Sequence, residues 1–148
     1  MIKINENRIV SGAFDNIIKI WDIDKKCCEY SVYGHDTSVF VVLLLMDGRL
    51  ASGSGSMDKT LKIWDLENKR CDCTLTGHKK EIKCMQQMSN GWLLTGSADK
   101  TVKVWKVKRK IYIQTLISHF DAIYILCMID KKRIVTGGKD QEIILWKY

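Results

Sequence analysis

The stretch 48–65, GRLASGSGSMDKTLKIWD, decides how the chain folds. A Gly/Ser-rich segment runs into Asp58-Lys59-Thr60, then into an alternating run that ends in Trp64-Asp65. Gly-rich loops can cradle phosphates at the start of a helix, and Ser with Asp can serve catalysis. The same residue types also build turns between strands. The turn is the better reading. No Gly-Lys-Ser/Thr follows the glycines, as a phosphate-binding loop requires. Leu61 and Ile63 alternate with Thr60 and Lys62, the two-residue period of a strand.

The surrounding pattern recurs along the chain. Trp21, Trp64, Trp105 and Trp146 stand 43, 41 and 41 residues apart. Asp15, Asp58, Asp99 and Asp140 each lie six residues before one of them. His35, His78 and His119 repeat with spacings of 43 and 41, and a hydroxyl follows each by seventeen residues: Ser52, Thr95 and Thr136. Ser11 holds that place in the first unit. Recurrence of several residue types in one register means a repeat architecture. Within a unit, residues 39–45 are apolar, Asp47-Gly48 signals a hairpin, and 50–53, 60–64 and 71–76 read as further strands. Ile18-Lys19-Ile20 and Val102-Lys103-Val104 repeat the third of these. Four strands in roughly forty residues, repeated, are the mark of a propeller blade. No helical pattern competes, and the chain has no Pro.

The opening stretch departs from its neighbours in length. Aligned from His35, Ser52 matches Thr95; aligned from Trp64, Asp58 matches Asp99; the two alignments differ by two residues. The turn between the second and third strands is therefore lengthened by two. Ser52 and Ser54 both remain candidates for the hydroxyl of this unit.

A chain of 148 residues suffices for one domain with its own core. Its 46% hydrophobic and 28% charged residues place it among ordinary globular proteins. No apolar run is long enough to span a membrane, and MIKINENRIV at the N-terminus has no signal-peptide core. The expected compartment is cytoplasmic or nuclear. The six cysteines are then expected as reduced thiols, buried as small hydrophobes. Cys27-Cys28 and Cys71-Asp72-Cys73 lack zinc-ligand spacing, so no metal and no cofactor is expected.

With Gly34-His35 and Gly77-His78 opening units, and Trp21-Asp22 and Trp64-Asp65 closing them, the chain resembles the WD-repeat family. The resemblance covers essentially the whole chain. It departs at Ser118, which replaces the Gly before His119, and at Lys106 and Lys147, which replace the Asp after Trp. It implies an all-β fold of β-propeller blades, each a four-stranded antiparallel sheet, with about three and a half repeats in one domain, 1–148. Blade 1 is partial over 1–33, blade 2 spans 34–76, blade 3 spans 77–117, and blade 4 spans 118–148 without its outer strand. Propellers close with roughly four to eight blades. The ring is thus expected to be incomplete, as a piece of a longer propeller, or completed by a second copy in a homodimer. A four-blade arc standing alone is the third arrangement.

The resemblance also implies a hydrogen-bond chain in each blade: Asp to His, His to hydroxyl, hydroxyl to Trp. The sets are His35, Ser52, Asp58, Trp64; His78, Thr95, Asp99, Trp105; and His119, Thr136, Asp140, Trp146. A buried indole N–H needs an acceptor, and a hydroxyl supplies one. The same residue types make a hydrolase triad. An enzyme needs one activated nucleophile, however, and this constellation occurs three times in one register, twice with Thr. No catalytic residue is assigned.

Function is therefore expected at surfaces. WD-repeat proteins act as non-catalytic protein–protein interaction scaffolds and adaptors, in ubiquitin ligases and signalling assemblies among others, so the expected partners are other proteins. The family's contact positions, carried over by motif, fall on Phe14, Phe40, Met57, Glu81, Lys83, Tyr124 and Lys139, on the face that carries the Gly-His loops. The net charge of +7 supplies the alternative. Lys25 and Lys26, Lys69 and Arg70, 106–110 and 131–133 fall in loops of the opposite face, where a one-sided basic surface meets RNA or another polyanion. No aromatic is interleaved with these residues in sequence, which weighs against nucleic acid. The plainer reading of such loops is a solvated surface.

Overall fold

Alternation of apolar and polar residues dictates strands throughout, and strands are what form. The structure, a computed structural model, describes residues 1–147. The first sheet holds β1 (Ile2–Asn5), β2 (Arg8–Gly12), β3 (Ile18–Asp22) and β4 (Cys27–Val32). The second holds β5 (Val39–Leu44), β6 (Leu50–Ser54), β7 (Leu61–Asp65) and β8 (Arg70–Leu75). The third holds β9 (Ile82–Gln87), β10 (Leu93–Ser97), β11 (Thr101–Lys106) and β12 (Ile111–Ile117). The fourth holds β13 (Ile123–Met128), β14 (Arg133–Gly138) and β15 (Ile143–Lys147), three strands among the described residues. Every pairing is antiparallel between consecutive strands, the up-and-down order of propeller blades.

The second and third sheets bury both faces, and the two faces have different jobs. Leu50, Val42 and Trp64 leave the second sheet on one side, against Val10, Ile18, Ile20 and Val32 of the first. Ala51, Leu61, Ile63 and Leu75 leave it on the other, against Ile82, Leu93 and Trp105 of the third. Leu94, Val102 and Val104 of the third sheet meet Ile123, Leu126 and Ile134 of the fourth. The Trp-bearing face of each of these blades therefore packs on the plain face of the blade before it.

In each unit a glycine directly follows the hydroxyl, and its lack of a Cβ lets the blades close. A Cβ on Gly12 would lie 2.5 Å from Cγ1 of Val39, and one on Gly53 would lie 2.7 Å from Cγ2 of Ile82. One on Gly96 would lie 2.9 Å from Cγ2 of Ile123. In each case a β-branched residue at the start of the next blade's inner strand seats in the notch. Gly137 holds the same register, but there a Cβ would meet only Ile125, at 3.9 Å. That face of the fourth sheet is uncovered, with Ile125, Ile143 and Leu145 exposed.

The Trp-Asp pair has a local role as well. Asp65 accepts from the backbone N–H groups of Glu67 and Asn68 and so shapes the turn from β7 to β8. Lys106 cannot accept, and there the turn is a single 3-10 segment, Val107–Arg109, closed by Lys110 in the left-handed conformation. Outer-strand positions also explain a correction. Only Cys73 and Cys84 are buried; Cys27, Cys28, Cys71 and Cys127 are exposed. The first three of the exposed thiols sit on outer strands β4 and β8, and Cys127 lies on the uncovered face of the fourth sheet.

The notches give a paired expectation. Gly53→Ala should lower stability by about 1–3 kcal/mol through overpacking, read as a shift in the urea midpoint. Gly137→Ala should change it by less than about 0.5 kcal/mol. Equal shifts for the two variants would contradict this packing.

Candidate functional site

In the second blade, β6 carries Ser52 directly beneath the loop that carries His35. Ser52 Oγ accepts from Trp64 Nε1 at 2.7 Å and lies 2.6 Å from His35 Nε2. His35 Nδ1 is 2.5 Å from Asp58 Oδ2. One proton arrangement satisfies all of these contacts. The indole donates to the hydroxyl, the hydroxyl donates to Nε2, and Nδ1–H donates to the carboxylate. Asp58 is fixed in turn by the hydroxyl of Thr60. Ser54 holds neither the indole nor the imidazole: its side chain bonds Asp58, and its Oγ accepts from the Thr60 N–H at 3.3 Å. The two-residue lengthening falls after β6, so it leaves the position of Ser52 intact.

The third and fourth blades repeat the geometry. Thr95 Oγ1 lies 2.7 Å from both Trp105 Nε1 and His78 Nε2, and His78 Nδ1 is 2.8 Å from Asp99. Thr136 Oγ1 is 2.8 Å from Trp146 Nε1 and 2.7 Å from His119 Nε2, and His119 Nδ1 is 2.8 Å from Asp140. Each Asp also takes the N–H after its histidine, from Asp36, Lys79 or Phe120. The first unit keeps the part its residues allow: Trp21 Nε1 donates to Ser11 at 2.8 Å, and Asp15 pairs with Lys19.

Electrostatics follow from this burial. Desolvation lowers the His35 pKa, and the bond to Asp58 only partly offsets it, so the ring is neutral at pH 7. Burial raises the carboxylates, but bonds outweigh it. Donation from Phe120 N–H and His119 brings Asp140 down from 3.8 to about 2. Asp58 and Asp99 are lowered in the same way, by Thr60 with His35 and by His78 with Thr101. As a hydrolase triad the arrangement has no access. Ser52, Thr95 and Thr136 are 0% exposed, and each oxygen already accepts from an indole.

The surface candidates cluster at the end where the histidine loops lie. Glu81, Lys83, Tyr124 and Lys139 line one depression of about 520 Å³, together with Lys59, Lys79 and Lys80. Lys83 reaches out of it, 3.9 Å from the ring of Phe40, and is also 3.4 Å from Glu81. Phe40 meets Phe14 edge-on at 5.8 Å. Phe14 is 81% and Met57 82% exposed, Met57 standing in the lengthened turn beside Ser56 at the rim.

This corrects the expectation of a one-sided basic surface: lysines are abundant at both ends. The reason lies in two lysine-bearing turns, Lys59 and Lys79-Lys80, which the sequence places outside the charge runs. The expectation of no interleaved aromatics is also corrected. Lys69 Nζ lies 4.6 Å from the Tyr30 ring and Lys106 Nζ 4.9 Å from the Trp92 ring, pairs formed across strands rather than along the chain. Trp92 is the one tryptophan outside the 43- and 41-residue register, which is the signal that marks it.

Two measurements test the hydrogen-bond chain. Thr95→Val keeps the shape but strips Trp105 and His78 of their partner, and should cost about 2–5 kcal/mol. Ser54→Ala should cost no more than about 1.5 kcal/mol; equal losses would contradict the assignment. Titration should show two windows, because a depressed pKa in the folded state changes stability only below the unfolded value. Stability should begin to fall below about pH 6.5 as unfolded His35 takes up a proton. It should fall again below about pH 4, where Asp58, Asp99 and Asp140 remain ionised only when folded. A urea midpoint that does not move between pH 7 and 5 would contradict a buried neutral His35.

Comparison with known proteins agrees with this geometry. The family model described as WD domain, G-beta repeat matches residues 3–22, 26–65 and 69–106. The WD repeat-containing protein pop2 of Schizosaccharomyces pombe (strain 972 / ATCC 24843) is 35% identical over 49 residues, which are 33% of this chain and 7% of that protein. No helix among the described residues is long and apolar enough to cross a membrane. With repeated Trp–hydroxyl–His–Asp chains in consecutive antiparallel blades and a family match over most of its length, the chain belongs to the WD40 repeat family.

Proposed function

We propose that the protein is a non-catalytic interaction scaffold whose histidine-loop end receives partner proteins, in the manner of an adaptor within a larger assembly. The observation that carries this reading is the exposure of large apolar groups in a fixed arrangement. Phe14 and Met57 are more than four-fifths exposed; Phe14 stands edge-on to Phe40, and Met57 follows Ser56, which lines the lysine-rich depression. Aromatic residues and Met are enriched at protein interfaces, and exposed ones at a rigid surface cost little ordering on binding. Lys83, held between Phe40 and Glu81, orients a charge at the centre of the set. Phe14, Phe40, Met57, Glu81, Lys83, Tyr124 and Lys139 are the proposed contact residues.

The depression narrows the chemistry of the partner. Lys59, Lys79, Lys80, Lys83 and Lys139 outnumber Glu81 and Asp121 within it. An acidic segment flanked by apolar side chains complements both features.

Photo-crosslinking tests the assignment. A photoreactive residue at position 57 should trap discrete partner proteins in cells, and Phe14→Ala with Lys83→Glu should abolish the trapped bands while stability, read from the urea midpoint, changes by less than about 1 kcal/mol. Bands that persist in the double variant, or that form equally well from position 90 at the opposite end, would contradict the proposal.

A further inference from the structure

The end of the molecule opposite the histidine loops carries an unneutralised cationic track built on the third and fourth blades. In the first two blades the loops at this end hold several ion pairs, while Lys26 and Lys69 are in none among the described residues. Arg8 pairs with Glu29 at 2.6 Å, Lys25 with Asp22 at 3.0 Å, and Arg49 with Asp72 at 2.7 Å. The next two blades differ. Lys108, Arg109, Lys110, Lys131, Lys132 and Lys147 have no ion-pair partner among the described residues. Of the acids nearby, Asp130 is taken by Arg133, while Asp47, which lines the depression beside Trp92, shares Arg49 with Asp72.

These cations form two groups on either side of a small, largely apolar cleft of about 50 Å³. Lys106, Lys108 and Arg109 edge a depression of about 480 Å³ that Trp92 also lines. Trp92 also lines the cleft between the third and fourth sheets, and that cleft reaches Lys147. Lys147 in turn borders a depression of about 520 Å³ with Lys131, Lys132 and Arg133. Charge at both ends and a half-buried indole in the middle follow the repeating chemistry of a phosphate backbone with a base between. The indole N–H of Trp92 makes no hydrogen bond among the described residues, unlike those of Trp21, Trp64, Trp105 and Trp146. What lies over its ring is Lys106 Nζ, at 4.9 Å. A stacked base can take that place and release the ammonium to a phosphate.

We propose that this track binds single-stranded nucleic acid, with Trp92 as the stacking platform and the cations of both blades as phosphate contacts. A run of acidic side chains satisfies the charges but supplies no flat ring to stack on the indole. The site is separate from the proposed protein-binding end, so either can fail alone.

The test is fluorescence anisotropy of a labelled oligouridylate of about twelve nucleotides, titrated with the whole chain at several salt concentrations. Contact with at least three phosphates gives a log–log salt slope of about −2 or steeper. Trp92→Ala should weaken binding about tenfold to a hundredfold with the slope unchanged. Trp92→Phe, which keeps a ring at the site, should restore most of it and Trp92→Leu, which fills the space without a ring, should not, so a packing defect in the Ala variant is separated from missing stacking. Lys131→Ala with Lys132→Ala should instead flatten the slope, by about 0.7 for each phosphate no longer neutralised. No binding at low salt would overturn the proposal. So would parent-like binding by folded Trp92→Ala, or displacement of the oligonucleotide by an equal concentration of a polyglutamate peptide of the same charge.

Discussion

One buried hydroxyl in each complete hydrogen-bond set meets two demands at once. Ser52, Thr95 and Thr136 each accept the indole N–H of a tryptophan on the neighbouring strand and face a histidine from the loop above. The tryptophan cannot be buried cheaply without that acceptor, because an unpaired indole N–H costs more than the bond contributes. The histidine is buried with both ring nitrogens met, and the turn Asp meets the second. The chain of contacts thus ties the loop before a blade, the second strand, the turn and the third strand into one unit. In the second and third blades the large indole face then becomes the surface on which the preceding blade packs.

That constraint also decides what is left free. The hydroxyls and imidazoles that carry chemistry elsewhere are consumed in making blades, and they are buried. The proposed binding surfaces are accordingly the loops at the two ends. There the backbone is held at both sides by strands, and side chains vary without disturbing the frame. The histidine-loop end keeps exposed Phe14 and Met57 beside a lysine-lined depression. The other end keeps Trp92 between two groups of cations, most of them without an ion-pair partner among the described residues. The proposed scaffold role rests on this rigid frame and its two differently built ends.

Much of this is legible in the sequence, because a repeat states its constraint several times over. Trp, Asp, His and the hydroxyl recur in one register, and in the second, third and fourth blades they are joined in the hydrogen-bond chain that the resemblance to WD repeats implies. The choice between Ser52 and Ser54 is not legible. Both lie in a Gly/Ser run, and only the pairing of Ser52 opposite Val42 and Lys62 separates them. The glycine notch carries a readable signal, since Gly12, Gly53, Gly96 and Gly137 each follow the hydroxyl. The charge layout does not, because Lys106 meets Trp92 and Lys69 meets Tyr30 across strands, where sequence distance says nothing about contact. The exposed cysteines escape a composition argument for a related reason. Cys27, Cys28 and Cys71 lie on outer strands where no neighbouring blade covers them, whereas Cys73 on the same strand as Cys71 faces the third blade and is buried.

The most direct test of this account is hydrogen exchange at the five indole N–H groups, followed by NMR on the isotopically labelled chain. Trp64 and Trp105, each bonded to a fully buried hydroxyl, should exchange only on unfolding, with Trp21 and Trp146 slower than free indole. Trp92, which makes no such bond, should exchange fastest. If Trp64 and Trp105 exchanged as quickly as Trp92, the hydroxyl-centred chain would not be what holds the blades together.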